Sequence, residues 1–173
     1  KYNRSPLMIA SKKKYLYIVK MLIAQGADVH HQDFRGNTAL NYALKVNNLP
    51  IREFLLLNGL QYNTNSIFTE VTLGNTELIK KLLDQGLDAN LQNNHQDTLL
   101  MQAIKKDSKD IFDLLLKSNA DINIKNNRGK TAFCIALETS NRFEYVKTLL
   151  KLGIDINNAI DNSGRTPLMI AIE

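Results

Sequence analysis

Residues 5–30 read SPLMIASKKKYLYIVKMLIAQGADVH, and this stretch decides the fold. Ser5 is a good helix N-cap, because its oxygen can accept one of the backbone N–H groups left free in a first turn. Pro6 follows at the first helical position, where a missing N–H costs nothing. After a short turn a second helix is predicted over about Tyr17–Gln25, with Ile18, Val19, Met21, Leu22 and Ile23 on its apolar side. Gly26 can take the left-handed conformation that ends a helix. Two short antiparallel helices of this kind cannot bury their apolar faces alone.

The same pattern recurs along the chain. Versions of Ala27-Asp28-Val29-His30 stand at Leu87-Asp88-Ala89-Asn90, Ala120-Asp121-Ile122-Asn123 and Ile154-Asp155-Ile156-Asn157, with a weaker copy at Leu60-Gln61-Tyr62-Asn63. Each follows Gly26, Gly59, Gly86, Asn119 or Gly153, at steps of 33, 27, 33 and 34 residues. A second marker keeps the beat: Ser5-Pro6-Leu7-Met8, Thr38-Ala39-Leu40-Asn41, Thr98-Leu99-Leu100-Met101, Thr131-Ala132-Phe133-Cys134 and Thr166-Pro167-Leu168-Met169. Two markers in phase predict an all-α solenoid, in which stacked neighbours share one apolar seam. The expected units are about 1–33, 34–60, 61–93, 94–126 and 127–160, with a partial unit over 161–173, all in a single repeat domain. The connections Asp33-Phe34-Arg35-Gly36 and Asn126-Asn127-Arg128-Gly129 are turn chemistry, since Asn, Asp and Gly tolerate positive φ.

These residues resemble the ankyrin repeat, with its Thr-Pro-Leu-His opening, leucine-rich second helix and Gly-Ala-Asp-Val-Asn turn. The resemblance covers essentially the whole chain. It implies helix-turn-helix units with projecting hairpin loops, and partner proteins bound through hairpin tips and the concave surface of the first helices. The departures carry expectations of their own. The motif His, which in the family ties adjacent loops, is replaced by Met8, Asn41, Phe68, Met101, Cys134 and Met169, so weaker loop-to-loop ties are expected. The third unit is about six residues short, and its first helix is expected to start near Ser66. Glu70 then falls where the family keeps a small buried Ala. Either the alignment slips there or Glu70 reaches solvent through a bend, because a lone buried carboxylate is costly. The absence of a starting Met, and a chain that stops at Glu173 inside a first helix, predict a piece of a longer protein.

Composition narrows the function. Apolar residues make up 44% and charged residues 23%, the balance of a folded globular chain rather than a disordered tail. Apolar runs such as Phe54-Leu55-Leu56-Leu57 are too short to span a bilayer. A single cysteine, Cys134, excludes an internal disulfide and fits an intracellular setting. The cysteine lies between Phe133 and Ile135 at a replaced motif position, which reads as a core thiol rather than a nucleophile. Adjacent His30 and His31 point to opposite sides of an extended arm and lack a third ligand, so no metal site is expected. His95 beside Asp97 reads as a polar hairpin tip. No phosphate-binding Gly-rich loop or Ser-centred elbow is present, so neither catalytic residues nor a cofactor or small-molecule substrate are expected.

The net charge of +5 is the better lead. Aligning the units puts Arg4, Lys12, Lys13, Arg35, Asn37, Lys45, Val46, Asp97, Lys105, Lys106, Lys125, Arg128, Lys130, Glu138 and Arg165 at hairpin and first-helix positions. Glu77, Asp84, Asp110 and Asp113 fall on second helices, at the back. An electropositive inner face that steers an acidic partner protein is therefore expected. The partner-binding set is Arg35, Asn37, Lys45, Tyr62, His95, Asp97, Lys105, Lys106, Arg128 and Lys130, with Tyr62 as an aromatic anchor and Phe34 either a second anchor or packed back on its hairpin. The alternatives are nucleic-acid binding by the same face, disfavoured because aromatics are not interleaved with the basic residues, or a non-catalytic targeting arm of a larger enzyme. The Lys-, Asn- and Ile-rich composition resembles that of proteins from AT-rich genomes, a group that includes ankyrin proteins of intracellular bacteria acting inside a host cell. An intracellular setting is expected, in cytoplasm or, for a secreted bacterial effector, in host cytosol.

Overall fold

The structure is a computed structural model that describes residues 3–154, 156, 162–166 and 169. Its described residues form ten α-helices in five successive pairs: α1 (Pro6–Lys12) and α2 (Leu16–Ala24), α3 (Ala39–Lys45) and α4 (Leu49–Leu57), α5 (Thr64–Leu73) and α6 (Thr76–Asp84), α7 (Leu99–Lys106) and α8 (Lys109–Lys117), α9 (Ala132–Glu138) and α10 (Phe143–Lys151). The fold class is all-α, a repeat solenoid of helix pairs joined by hairpin loops. Helices of seven to ten residues are too short to persist alone in water, so packing must hold them.

Local chemistry sets the ends. Ser5 caps α1 by accepting from the Met8 amide at 3.3 Å, and Thr98 caps α7 by accepting from Met101 at 3.2 Å. At α3 the motif-His replacement Asn41 reaches back and accepts from both the amide and the hydroxyl of Thr38, at 2.7 and 3.0 Å. All five marker residues that close the second helices adopt positive φ, and Asn119 does so at +59° without being glycine. A second left-handed position links the helices within each pair: Lys14, Asn47, Gly74, Asp107 and Asn141.

Two compact units divide the chain, residues 1–69 and 70–173, with the boundary inside α5. In the first unit α1 packs on α2 and α3, and α4 packs on α2 and α3. They bury Leu7, Met8, Leu40, Leu44, Ile51 and Leu55. In the second unit α7 packs on α8 and α9, α9 on α10, and α6 on α8. Phe112 and Tyr145 meet edge to face there, with ring centroids 4.9 Å apart.

The short third repeat departs from expectation. Its first helix starts at Thr64, two residues before Ser66, because Asn63 supplies the cap: its side-chain oxygen accepts from the Ser66 amide at 2.9 Å. Glu70 does not reach solvent. It is fully buried, with the Asn75 amide donating to its carboxylate at 3.1 Å.

Candidate functional site

The hairpins are built on one repeated clasp. Asp33, Asn93 and Asn126 occupy the same place, and the side-chain oxygen of each accepts the backbone amides two and four residues on. These amides belong to Arg35 and Asn37, to His95 and Asp97, and to Arg128 and Lys130, at distances of 2.8 to 3.1 Å. A short acceptor side chain can close such a turn on its own backbone, which is why Asp and Asn stand there. The tips then take positive φ at Gly36, Gln96 and Gly129.

A second clasp runs from hairpin to inner helix, eight residues on. Lys45 Nζ donates to Asn37 Oδ1 at 3.2 Å, Lys105 Nζ to Asp97 Oδ2 at 2.7 Å, and Lys130 Nζ to Glu138 Oε2 at 2.7 Å. The position is thus a lysine on a neutral amide, a lysine on a carboxylate, and a pair with the charges exchanged.

Successive hairpins are also tied, which corrects the expectation of weakened loop-to-loop bonds. Arg35 O accepts from the Asn65 side chain at 2.8 Å, His95 O from the Asn127 amide at 3.1 Å, and Arg128 O from the Asn162 amide at 3.0 Å. Asn63 donates to Gly36 O at 3.1 Å, and Asn126 to the Asp97 carboxylate at 2.8 Å. Asparagines in the loops supply these ties in place of a motif His. Asn127 and Asn162 each stand two residues before a glycine, Gly129 and Gly164, a repeat spacing that the sequence reading took as turn chemistry alone.

These clasps border a cleft in each unit. The first, about 430 Å³, is lined by Arg4, Lys12, Phe34, Arg35, Tyr42 and Lys45, with Asp33 and Asn37 at its wall. Burial alone would raise the Asp33 carboxyl. Hydrogen bonds from the Tyr42 hydroxyl, the Asn37 amides and the Arg35 amide outweigh that and hold its pKa at about 2. Burial also lowers the Lys45 ammonium. Asp33 pulls the other way, while the cations of Arg35, Arg4 and Lys12 push it down further. Arg4 donates to the Tyr42 hydroxyl at 2.8 Å. The second cleft, about 410 Å³, includes His95, Lys105, Arg128, Lys130 and Glu138 in its lining. Here the charges are spent on each other, through Lys105 with Asp97 and Lys130 with Glu138.

The expected site residues therefore separate. Arg35, His95, Arg128 and Lys106 are exposed. Asn37 and Asp97 are buried, at 6% exposure each, and accept from Lys45 and Lys105 in the clasps. Lys105 and Lys130 are engaged in ion pairs, and Tyr62 is half-buried against the core of the first unit. Phe34 is 78% exposed and does not fold back on its hairpin. Elsewhere, His31 Nε2 donates to Asn3 O at 2.9 Å while His30 faces solvent. Cys134 is buried beside the Thr131 hydroxyl, and burial raises its thiol pKa.

Comparison with known proteins places this geometry in a family. The sequence profile described as ankyrin repeats (3 copies) matches residues 1–66, 68–160 and 125–173. An ankyrin repeat protein of fowlpox virus is 32% identical over 98% of this chain and 44% of its own length. One from Acanthamoeba polyphaga mimivirus is 30% identical over 97% of this chain and 22% of its own. An E3 ubiquitin-protein ligase of Arabidopsis thaliana is 28% identical over 86% of this chain but only 8% of its own length. The chain thus spans less than half of each of these relatives.

Proposed function

The chain belongs to the ankyrin-repeat family, and from that membership we propose that it is a protein-recognition module whose hairpin tips and inner-helix clefts dock on an acidic surface of a partner protein. Ankyrin repeats are, as a class, protein–protein interaction modules. One observation carries the finer reading. Arg35, His95 and Arg128 share a repeat position, each has its carbonyl tied to the following repeat, and each leaves its side chain exposed. A contact group whose backbone is already fixed loses little entropy on binding, and that is how a rigid scaffold gains affinity. The exposed acids Glu77, Asp84 and Asp110 sit on outer helices α6 and α8, away from the tips. Phe34 is the aromatic anchor on this reading, in place of the half-buried Tyr62.

Recognition without chemistry is the proposed role. In the plant ligase the matched repeats are a small part of a longer chain, and an accessory arm of this kind is the proposed use here. The proposed compartment is intracellular.

Affinity capture with the folded chain, followed by identification of what it retains, tests the reading. The Arg35→Glu, Arg128→Glu double variant should lose the captured protein while keeping its helical circular dichroism. Unchanged capture overturns the assignment of the tips. Titration with DNA and RNA across salt is the counter-test, since tight binding with a steep salt slope would make nucleic acid the ligand instead.

A further inference from the structure

The two clefts are repeat equivalents, yet they differ in charge for a reason visible at one position. Where the second cleft has Asp97 beneath Lys105, the first has the neutral Asn37 beneath Lys45. Lys45 thus makes its hydrogen bond to a neutral partner, and Asp33 is the carboxylate whose charge acts on it. Lys12 and Arg35 line the same cavity, so with Lys45 three cations face one carboxylate, while Arg4 is engaged with the Tyr42 hydroxyl. That carboxylate, Asp33, is 7% exposed, and both its oxygens already accept from Tyr42, Asn37 and Arg35. It holds the hairpin through these bonds. Burial is the main cause of the lowered Lys45 pKa; Asp33 opposes it, and the cations of Arg35, Arg4 and Lys12 add to it.

We propose that the first-unit cleft is a binding site for a phosphoryl group carried on a side chain of the partner protein, with Lys12, Arg35 and Lys45 as its principal ligands. A carboxylate brings one negative charge and, beside Asp33, would leave one of these three cations unmatched. A phosphoryl group brings about −1.5 to −2 charges and three acceptor oxygens, which matches the donors that guanidinium and ammonium groups present. Lys45 has two of its three N–H groups left after the bond to Asn37. The exposed Phe34 ring at the cleft's edge gives the flanking residues of a bound peptide an apolar contact. The second-unit cleft is excluded from this role by its internal ion pairs. The proposal rests on the protein-recognition reading above and narrows it to a modified partner.

The test uses the 173-residue chain and three versions of one short peptide, carrying phosphoserine, glutamate or serine at its centre, measured by titration calorimetry at fixed ionic strength. The phosphoserine version should bind at least about tenfold more tightly than the glutamate version, because its charge is nearly doubled. Lys12→Gln and Arg35→Ala should each weaken it at least about fivefold, a loss in the range of one charge-assisted hydrogen bond. Lys80→Gln, at an exposed cation on α6, should leave it unchanged. Inorganic phosphate should compete with the peptide. Equal affinities for the phosphoserine and glutamate versions overturn the proposal, as does indifference to Arg35→Ala. Binding of inorganic phosphate without binding of the peptide also overturns it, by making the ligand a free anion. If all three peptides fail while protein capture still depends on Arg35 and Arg128, only this inference falls.

Discussion

Position 33 and its equivalents 93 and 126 carry the hairpins, and only position 33 is charged. The Asp33 carboxyl has a native pKa of about 2 against an ordinary value near 3.8, so it contributes stability that is fully present above that ordinary value. The contribution falls away as pH drops toward 2, and amounts to about 2 kcal/mol. Asp33→Asn keeps an acceptor for the amides of Arg35 and Asn37, as Asn93 and Asn126 do at their own tips. The variant should be less stable than the parent by up to about 2 kcal/mol at pH 7. The difference should shrink between pH 4 and pH 2 in matched urea titrations; a difference constant across that window would contradict the linkage. Gln96 supplies a second residue-scale prediction. It holds φ at +57° where the other tips have glycine, and its backbone carbonyl accepts from Gln92. Gln96→Gly keeps that carbonyl and relieves the left-handed strain, which should raise stability by up to about 1 kcal/mol.

At the scale of elements, α5 shows how a repeat survives the loss of its hairpin. Asn63 and Asn65 at its start donate to Gly36 O and Arg35 O, so the helix terminus stands in for the missing loop in holding the preceding tip. Asn63 also caps α5, so Asn63→Ala removes a cap and a tie together. The loss should be about 1–2 kcal/mol, with faster amide exchange in the first turn of α5 and at the tip around Gly36. In the second unit, the Phe112 ring joins α8 to α10 by its edge contact with Tyr145. Phe112→Ala should cost about 3–5 kcal/mol, the range for emptying an aromatic site that has no room to collapse. A small effect in chemical denaturation would mean that the two helices repack around the gap.

Nearest-neighbour stacking governs the molecule as a whole, and equivalent residues reveal it. Ile18, Ile51 and Ile111 occupy the same place on second helices, yet Ile18 is 43% exposed while Ile51 and Ile111 are fully buried. The first repeat has a following neighbour on one side only among the described residues, and Ile18 lies on the other side. Substitution to Ala should therefore cost about 2–5 kcal/mol at Ile51 or Ile111 and clearly less at Ile18. Equal losses at the three positions would show that repeat position does not govern burial energy. The charge balance of the inner faces likewise belongs to this scale. A surplus of basic residues over the aligned positions was legible in the sequence, but much of it is consumed internally: Lys105 by Asp97, Lys130 by Glu138.

The repeat, its period, the helix boundaries to within two residues and the buried setting of Cys134 follow from the sequence alone. Each depends on short-range chemistry: a cap three residues from its amide, a glycine at a helix stop, apolar residues at helical spacing. The burial of Glu70, the asparagine ties between hairpins and the sorting of lysines onto a carboxylate or a neutral amide were decided only by the tertiary structure. The bonds involved join residues about 5 to 35 apart. An ion pair forms or fails according to which acceptor the fold sets beneath a given ammonium, and repeat spacing alone does not fix that.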